Sequence, residues 1–368
     1  MAGPSLQKIF GFATLSKAIW LTTQGIPNVL PESFGKSHTK CVGDRVRWRQ
    51  FTGERRVARK VRYGAKSVKA ELRDVGERTA KAIHFNEEIE LDPLVFKQIQ
   101  SPNSYEHDTG MFEVERQVEA FGTKFGNTRI AATTLVFRNG VLNFDRDGNL
   151  LNSAATTKGG SVAEVVLFGM SALNKDQLDG IISSPWSMPT TDIVLQLRRL
   201  KKRARRLTGL PLKIAMYGEN VPSYFFNNAS VQQYLARHPT IRDKYVDGLS
   251  AGEIPDGLFN FRWIPAYEAF YEDSAGVNQD IWDPDAVTFL PETNENWYDV
   301  IEGSMEVPTT INIQADGVAA MRSSKTMHGM GGYGIVIHNP VTVESHYFDT
   351  FLPTLKNPDA AFMADVAW

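Results

Sequence analysis

The sequence predicts an α+β protein with an α/β domain inserted into a first, discontinuous domain, and three observations predict it. A basic segment with hairpin texture precedes a long amphipathic pattern whose apolar residues recur at spacings of three and four. From about Gly159 to Glu306 the grain changes to alternating helices and short strands. The chain then closes on strand-like pieces that have the first domain as their natural partner.

The basic segment runs from Arg45 to Lys81. Thirteen of its 37 residues are Lys or Arg and four are acidic, so it carries +9 while the other 331 residues carry −11. Val46 and Trp48 alternate with Arg45, Arg47 and Arg49, the period-two signature of a strand. A second run, Arg55 to Tyr63, follows Thr52-Gly53-Glu54, and a three-residue connection containing Gly predicts a β-hairpin. An isolated two-stranded hairpin is marginal in water, so this one needs a neighbour to lie on. Three readings stay open from charge and spacing: a solvated ribbon, a nucleic-acid-binding ribbon with a base stacked on Trp48, or an arm lying across the acidic surface of another copy.

Length and composition narrow the class. A chain of 368 residues with 42% apolar content has room for two domains or one large domain with insertions. Ile9 to Leu21, the most apolar N-terminal stretch, is broken by Lys17 and falls short of the ~20 residues a membrane span needs. It also lacks a secretory pattern. The single Cys41 cannot form an internal disulfide, which fits assembly in a reducing cytoplasm. No fixed-period repeat is present.

The elements follow in order. Leu6, Ile9, Phe10 and Ala13 sit at helical spacing, and Gly25-Ile26-Pro27 with Pro31 predicts an extended strap. Ile89 and Leu91 alternate before Pro93. Asp108 and Thr109 offer N-cap oxygens for a spine helix through Met111, Val114, Val118, Phe121 and Phe125 to about Val136, with a bend near Gly122 and Gly126. Asn139-Gly140, between apolar runs, predicts a type I′ hairpin. In the inserted domain, Thr191 to Leu207 predicts a helix whose apolar face carries Ile193, Leu197, Leu200, Ala204 and Leu207. Arg198, Arg199, Lys201, Lys202, Arg203, Arg205 and Arg206 crowd the rest, and Gly209 closes it. That basic back is read as solvated, genome-facing or in contact with an acidic neighbour. Leu212 to Met216 and Val287 to Pro291 predict strands, Val221 to Arg237 one helix, and Phe259 to Tyr271 aromatic strand material. From Tyr333 on, short strands are expected between Pro340, Pro353 and Pro358.

Motifs for chemistry are lacking. Gly329 to Gly334 spells G-x-G-x-x-G, but a polar stretch precedes it and a strand follows, so a flexible loop is expected and no cofactor. Asp283/Asp285 and His346/Asp349 are neighbours of the kind that 42 carboxylates produce by chance. Gly169-Met170-Ser171-Ala172 breaks the nucleophile-elbow pattern, and zinc-protease and Walker motifs are missing. Seven scattered His and one Cys make a zinc site unexpected. These absences point toward assembly and away from catalysis.

The order of parts resembles a tailed-phage major capsid protein of the lambda-type E family, with the fold first described for Hong Kong 97 phage. The residues that carry the likeness are IPNVLPESF, GDRVRWRQFTGERRVARKVRYG, IELDPLVFKQI, MFEVERQVEAF and NPDAAFMADVAW. The resemblance implies a phage capsid fold with an N-terminal arm (1–44), an extended loop (45–82), a peripheral domain with the spine helix (83–158), an inserted axial domain (159–309) and return strands of the peripheral domain (310–368). It implies a non-enzymatic shell protein of the virion, assembled in the host cytoplasm as hexamers and pentamers around double-stranded DNA. Portal, decoration and scaffolding proteins are its expected partners, the last as a separate chain because a long charged N-terminal helix is lacking. Arg47, Trp48, Arg49, Arg55, Arg56, Arg59, Lys60, Arg62 and Tyr63 would touch the adjacent subunit. Arg198, Arg199, Lys202, Arg203 and Arg206 would face genome or neighbour. A cytoplasmic nucleic-acid-binding protein using the same basic elements is the alternative.

Overall fold

A computed structural model describes residues 15–19, 37–50, 76–145, 148, 150–151, 164–237, 245–246, 248, 252–267, 270–272, 278–292, 297–313, 319–338 and 341–368. The helix expected over Leu6 to Ala13 and the strap after Gly25 lie outside them. Within the described N-terminal residues, Leu15 and Ile19 are buried.

Strand β1 (Ser37–Lys40) precedes β2 (Arg45–Gln50), which pairs antiparallel with β3 (Gly76–Lys81). Among the described residues the partner of β2 is 76–81. The turn at 52–54 and the run Arg55 to Tyr63 lie outside the described residues. β4 (Ile83–Glu90) leads to α1 (Pro93–Gln100), which begins where Asp92 accepts the Leu94 N–H at 2.7 Å and Pro93 takes a first-turn position that needs no donor.

The spine, α2 (Ser104–Asn139), is 36 residues long and starts at Asn103, whose side chain accepts the Tyr105 N–H. Asp108 and Thr109 thus lie inside the helix rather than capping it. At the other end Gly140 adopts φ 63° and gives its N–H to Val136 O at 2.9 Å. Asn139-Gly140 is a helix terminus, not a hairpin turn: the same left-handed tolerance serves both, and the β-branched run before it is helical because Ala131 to Phe137 are all buried. Burial on every side overrides the weak propensity of Thr and Val for helix.

Next come β5 (Val141–Phe144), β6 (Leu150–Leu151) and β7 (Glu164–Leu167), a small antiparallel sheet, and then α3 (Ile193–Leu207) and β8 (Leu212–Tyr217). The helix expected over Val221 to Arg237 is two, α4 (Val221–Asn227) and α5 (Ala229–Ala236). Asn228 ends the first and caps the second, its side-chain oxygen accepting from Ser230 N at 2.9 Å and Val231 N at 3.2 Å. The aromatic stretch after Phe259 is strand only at β9 (Arg262–Pro265) and β10 (Phe270–Glu272), with Phe259 itself at φ 55° in a tight turn. β11 (Asn278–Asp280) pairs with β10, and β12 (Ala286–Pro291) matches its expected position.

The return begins earlier than expected. β13 (Tyr298–Glu302) is followed by a ribbon of β14 (Ser304–Ile313) and β15 (Ala319–His328), then β16 (Gly331–His338), β17 (Val341–Leu355) and β18 (Phe362–Asp365). One sheet has the order β1-β13-β17-β16, with β4 pairing the other side of β17. Pro353 lies inside β17 opposite Val300, past the point where the β4 register ends at Phe351, so it removes no ladder bond on that side. The second sheet has the order β18-β12-β8-β9. The last strand of the chain thus joins the sheet of the inserted region, and β13 joins the sheet of the first.

The glycine run expected to be a loop is largely strand. Gly331 and Gly332 lie in β16, where an added Cβ would come within 2.5 Å of Phe348 and 3.0 Å of Tyr347. These glycines make room for the large rings of β17. Two cores result. Phe137, Trp297, Tyr298, Phe351 and Leu355 pack between spine and first sheet, and Trp186, Leu200, Phe225, Trp263 and Phe289 pack around the second. The spine is tied to the first sheet by Arg129, which donates two hydrogen bonds to Asp349 on β17 at 2.7 and 2.6 Å.

Candidate functional site

The paired strands β2 and β3 have two unlike faces. Val46, Trp48 and Gln50, with Arg78 and Ala80 opposite, turn inward. Trp48 is 4% exposed, its indole N–H donates to Leu355 O at 3.2 Å, and its ring lies 6.2 Å from that of Phe168. Gln50 Nε2 donates to Phe168 O at 2.7 Å and Leu355 O at 3.2 Å, and Arg78 Nε donates to Gln50 Oε1 at 2.8 Å. Trp48 is therefore corrected from an anchor offered to a neighbour to the residue that roots the ribbon in its own body: an indole with its N–H already bonded is satisfied where it is.

The outer face carries Arg45, Arg47, Arg49 and Lys81, with Glu77 directly across from Arg49. Cys41 lies at the root, its thiol donating to Arg45 O at 3.2 Å. Arg55, Arg56, Arg59, Lys60, Arg62 and Tyr63 lie outside the described residues.

The second basic element is α3. Asp192 caps it, accepting the Leu195 N–H at 2.9 Å, while Ile193, Leu197, Leu200 and Ala204 bury one stripe. Arg198, Arg199, Lys202, Arg205 and Arg206 are exposed on the opposite side. Arg203 leaves this group, because it pairs with Asp179 at 2.6 Å and donates to Leu173 O at 3.2 Å. Its place beside the buried stripe turns it toward the turn at Lys175–Gly180 rather than outward. Lys201 flanks the basic face on the other side, its ammonium 4.0 Å from the centre of the Phe261 ring and bonded to Phe259 O. Burial first, then the charges of Lys213 and Arg205, bring its pKa down to about 8. Arg198, Lys201, Lys202, Arg205 and Arg206 line an open depression of about 380 Å³. Lys201 and Arg205 belong to this depression by virtue of helical angle, which spacing along α3 already encodes.

The acid–base neighbours do not assemble into a catalytic site. His346 and Asp349 are three apart on β17 and face opposite ways. His346 stacks on Tyr333 at 4.9 Å and lies 3.5 Å from Glu88, whereas Asp349 faces Arg129. Asp283 pairs with Arg138 at 3.3 Å, and Asp285 accepts from the Tyr224 hydroxyl at 2.6 Å. Burial and that carboxylate push the Tyr224 pKa up to about 12, so the phenol stays a donor. Among the described residues, no three His, Cys, Asp or Glu are grouped to hold a metal, and no helix is long and apolar enough to cross a membrane.

No family model and no curated protein matches the sequence. Among solved structures, the chain is similar to a phage-related protein from Bordetella bronchiseptica RB50, at 12% identity and a TM-score of 0.49, over 95% of this chain and 97% of that one. It is similar to a prophage protein of Escherichia coli CFT073 assigned as a capsid protein, at 14% identity and a TM-score of 0.47, over 80% of each chain. A chain of the mature capsid of bacteriophage PhiM1 aligns at 10% identity and a TM-score of 0.45, over 92% of this chain and 89% of that one.

Proposed function

We propose that this chain is a non-enzymatic shell subunit, the major capsid protein of a tailed phage, which assembles with copies of itself into hexamers and pentamers around double-stranded DNA. The observation that carries the reading is the pairing of β2 with β3. Their register ends at Gln50 and Gly76, so residues 51–75 connect two strands whose root is held to the body by Trp48. That connection has eight Lys or Arg against three acidic residues. Ribbon and connection together carry +9, and the remainder of the chain carries −11.

A cationic arm rooted on an anionic body is complementary to a second copy of itself. Repeated by rotation, such a head-to-tail contact closes rings. Exposed ion pairs contribute only ~0–1 kcal/mol each, so cohesion comes from repeating the contact around the ring. Arg47 and Arg49 at the root, and Arg55, Arg56, Arg59, Lys60, Arg62 and Tyr63 beyond it, form the contact to the adjacent subunit. The place of action is the virion capsid, after assembly in the host cytoplasm, and scaffolding, portal and decoration proteins are the further partners such a shell takes.

The test is electron microscopy and particle mass of the expressed chain, beside a variant with Arg55→Glu and Arg56→Glu. Shells, tubes or ring-like capsomers are expected from the parent. The variant should stay unassembled with an unchanged circular dichroism spectrum. A parent that remains a solitary particle at high concentration overturns the reading, and normal shells from the variant remove these two arginines from the contact.

A further inference from the structure

Among the described residues, most cations on the exposed back of α3 have no anionic partner. On a helix, Arg198, Lys202 and Arg205 fall on one line at i, i+4 and i+7, with Arg199 and Arg206 on one flank and Lys201 on the other. Among the described residues, Arg198, Arg199, Lys202 and Arg206 have no ion-pair partner. From Arg198 to Arg206 the stripe is about 12 Å long at 1.5 Å per residue. The C-terminal end of the helix contributes roughly −0.5 of a charge there, far less than the cations supply.

Two features decide what such a face recognises. Leu195, at its N-terminal end, is the one large apolar side chain exposed on α3. A protein partner is held by buried aromatic or aliphatic anchors at the centre of its contact, and this face offers charge there instead. Four of the five exposed cations are Arg, whose planar fork meets phosphate oxygens with two parallel hydrogen bonds. A duplex presents one phosphate per about 1.7 Å of its axis, so a 12 Å stripe meets several at once. Lys201 reinforces the point. Its pKa is lowered by burial first and then by the charges of Lys213 and Arg205, and an approaching anion offsets the second of these.

We propose that the α3 face, centred on Arg198, Lys202, Arg205 and Arg206, is a docking surface for the phosphate backbone of double-stranded DNA, without regard to base sequence. Choosing duplex DNA as the polyanion rests on the shell reading above, but binding is a property of the single subunit and is measured without a shell.

The experiment uses the full chain, its unassembled fraction isolated by gel filtration, and a fluorescein-labelled random-sequence duplex followed by anisotropy across a salt series. Four phosphate contacts give a slope of about −3.6 in log affinity against log salt. Replacing Arg198, Lys202, Arg205 and Arg206 together by Gln is expected to weaken binding at least tenfold at low salt and to flatten the slope. Replacing the three arginines by Lys, with Lys202 kept, should retain the slope, which separates lost charge from lost fold. Lys97→Gln with Arg116→Gln, exposed on α1 and α2, should leave the slope unchanged. The proposal is overturned if the duplex fails to bind at low salt, or if the Gln variant binds as the parent does. It is also overturned if the Gln variant loses self-association while duplex affinity stays unchanged, since the face is then a contact between copies. Duplex binding by a chain that never assembles keeps this proposal and removes the shell; shells from a chain that ignores DNA do the reverse.

Discussion

Replacing Arg129 by Met tests how the spine is held to the first sheet. Asp349 has a fully buried side chain, and its two oxygens take both hydrogen bonds from Arg129. Glu302 is a second carboxylate 3.8 Å from the guanidinium, which also lies 5.0 Å from the centre of the Phe351 ring. With Met in place of Arg129 the Asp349 carboxylate keeps its burial and loses its counter-charge. Breaking a buried pair in this way costs about 3–5 kcal/mol. Asp349→Leu is milder, about 1.5–3 kcal/mol, because Arg129 is 17% exposed and keeps Glu302. The double variant removes both charges and is expected within about 1.5 kcal/mol of the parent, since a buried pair replaced by apolar groups is often neutral. Urea midpoints of the unassembled chain, at unchanged slope, give the four corners of the cycle. A cost below about 1 kcal/mol for Arg129→Met, or a double variant as unstable as the sum of the singles, refutes the reasoning.

Three further outcomes follow from the same geometry. Trp48→Ala should cost about 3–5 kcal/mol and speed amide exchange along β2 and β3, whereas Trp48→Phe should cost far less because Gln50 still donates to Leu355 O; equal exchange in both contradicts the rooting role. Gly331→Ala forces a Cβ to within 2.5 Å of Phe348 and should cost about 1–3 kcal/mol in thermal or urea unfolding, with a neutral result showing that β17 can yield. Burial lowers the pKa of His84, against the opposing charge of Asp349. The unfolded chain therefore takes up this proton first, so stability falls as pH drops below about 6.5 toward the folded value. His84→Gln should make the urea midpoint less sensitive to pH over that window; an identical pH profile would show that His84 is not the group responsible.

Where local pattern sets structure, reading the residues was sufficient. The charge split, the alternation of Val46 and Trp48, the apolar stripe of α3 and the apolar runs of β8 and β12 depend on period and on side-chain solvation, both encoded within a few positions. Partner choice is not encoded that way. That β2 pairs with 76–81, that β18 crosses to β12, and that β13 joins the first sheet depend on contacts between residues far apart in sequence. Asn139-Gly140 shows the limit most plainly, because a left-handed glycine suits a hairpin and a helix end equally. Burial of Ala131 to Phe137 on all sides decided for the helix.

The same division applies to the candidate surfaces. The sequence by itself determined that the positive charge is gathered in one segment, 45–81, and one helix back, since charge is counted residue by residue. Only the tertiary structure decided that Trp48 turns inward to Leu355, that Arg203 is taken by Asp179, and that Lys201 is half-buried against Phe261, leaving Arg198, Arg199, Lys202, Arg205 and Arg206 as the exposed remainder. Whether a given cation is free depends on what the fold brings within about 4 Å of it, and that distance is set by packing between elements rather than by spacing along the chain.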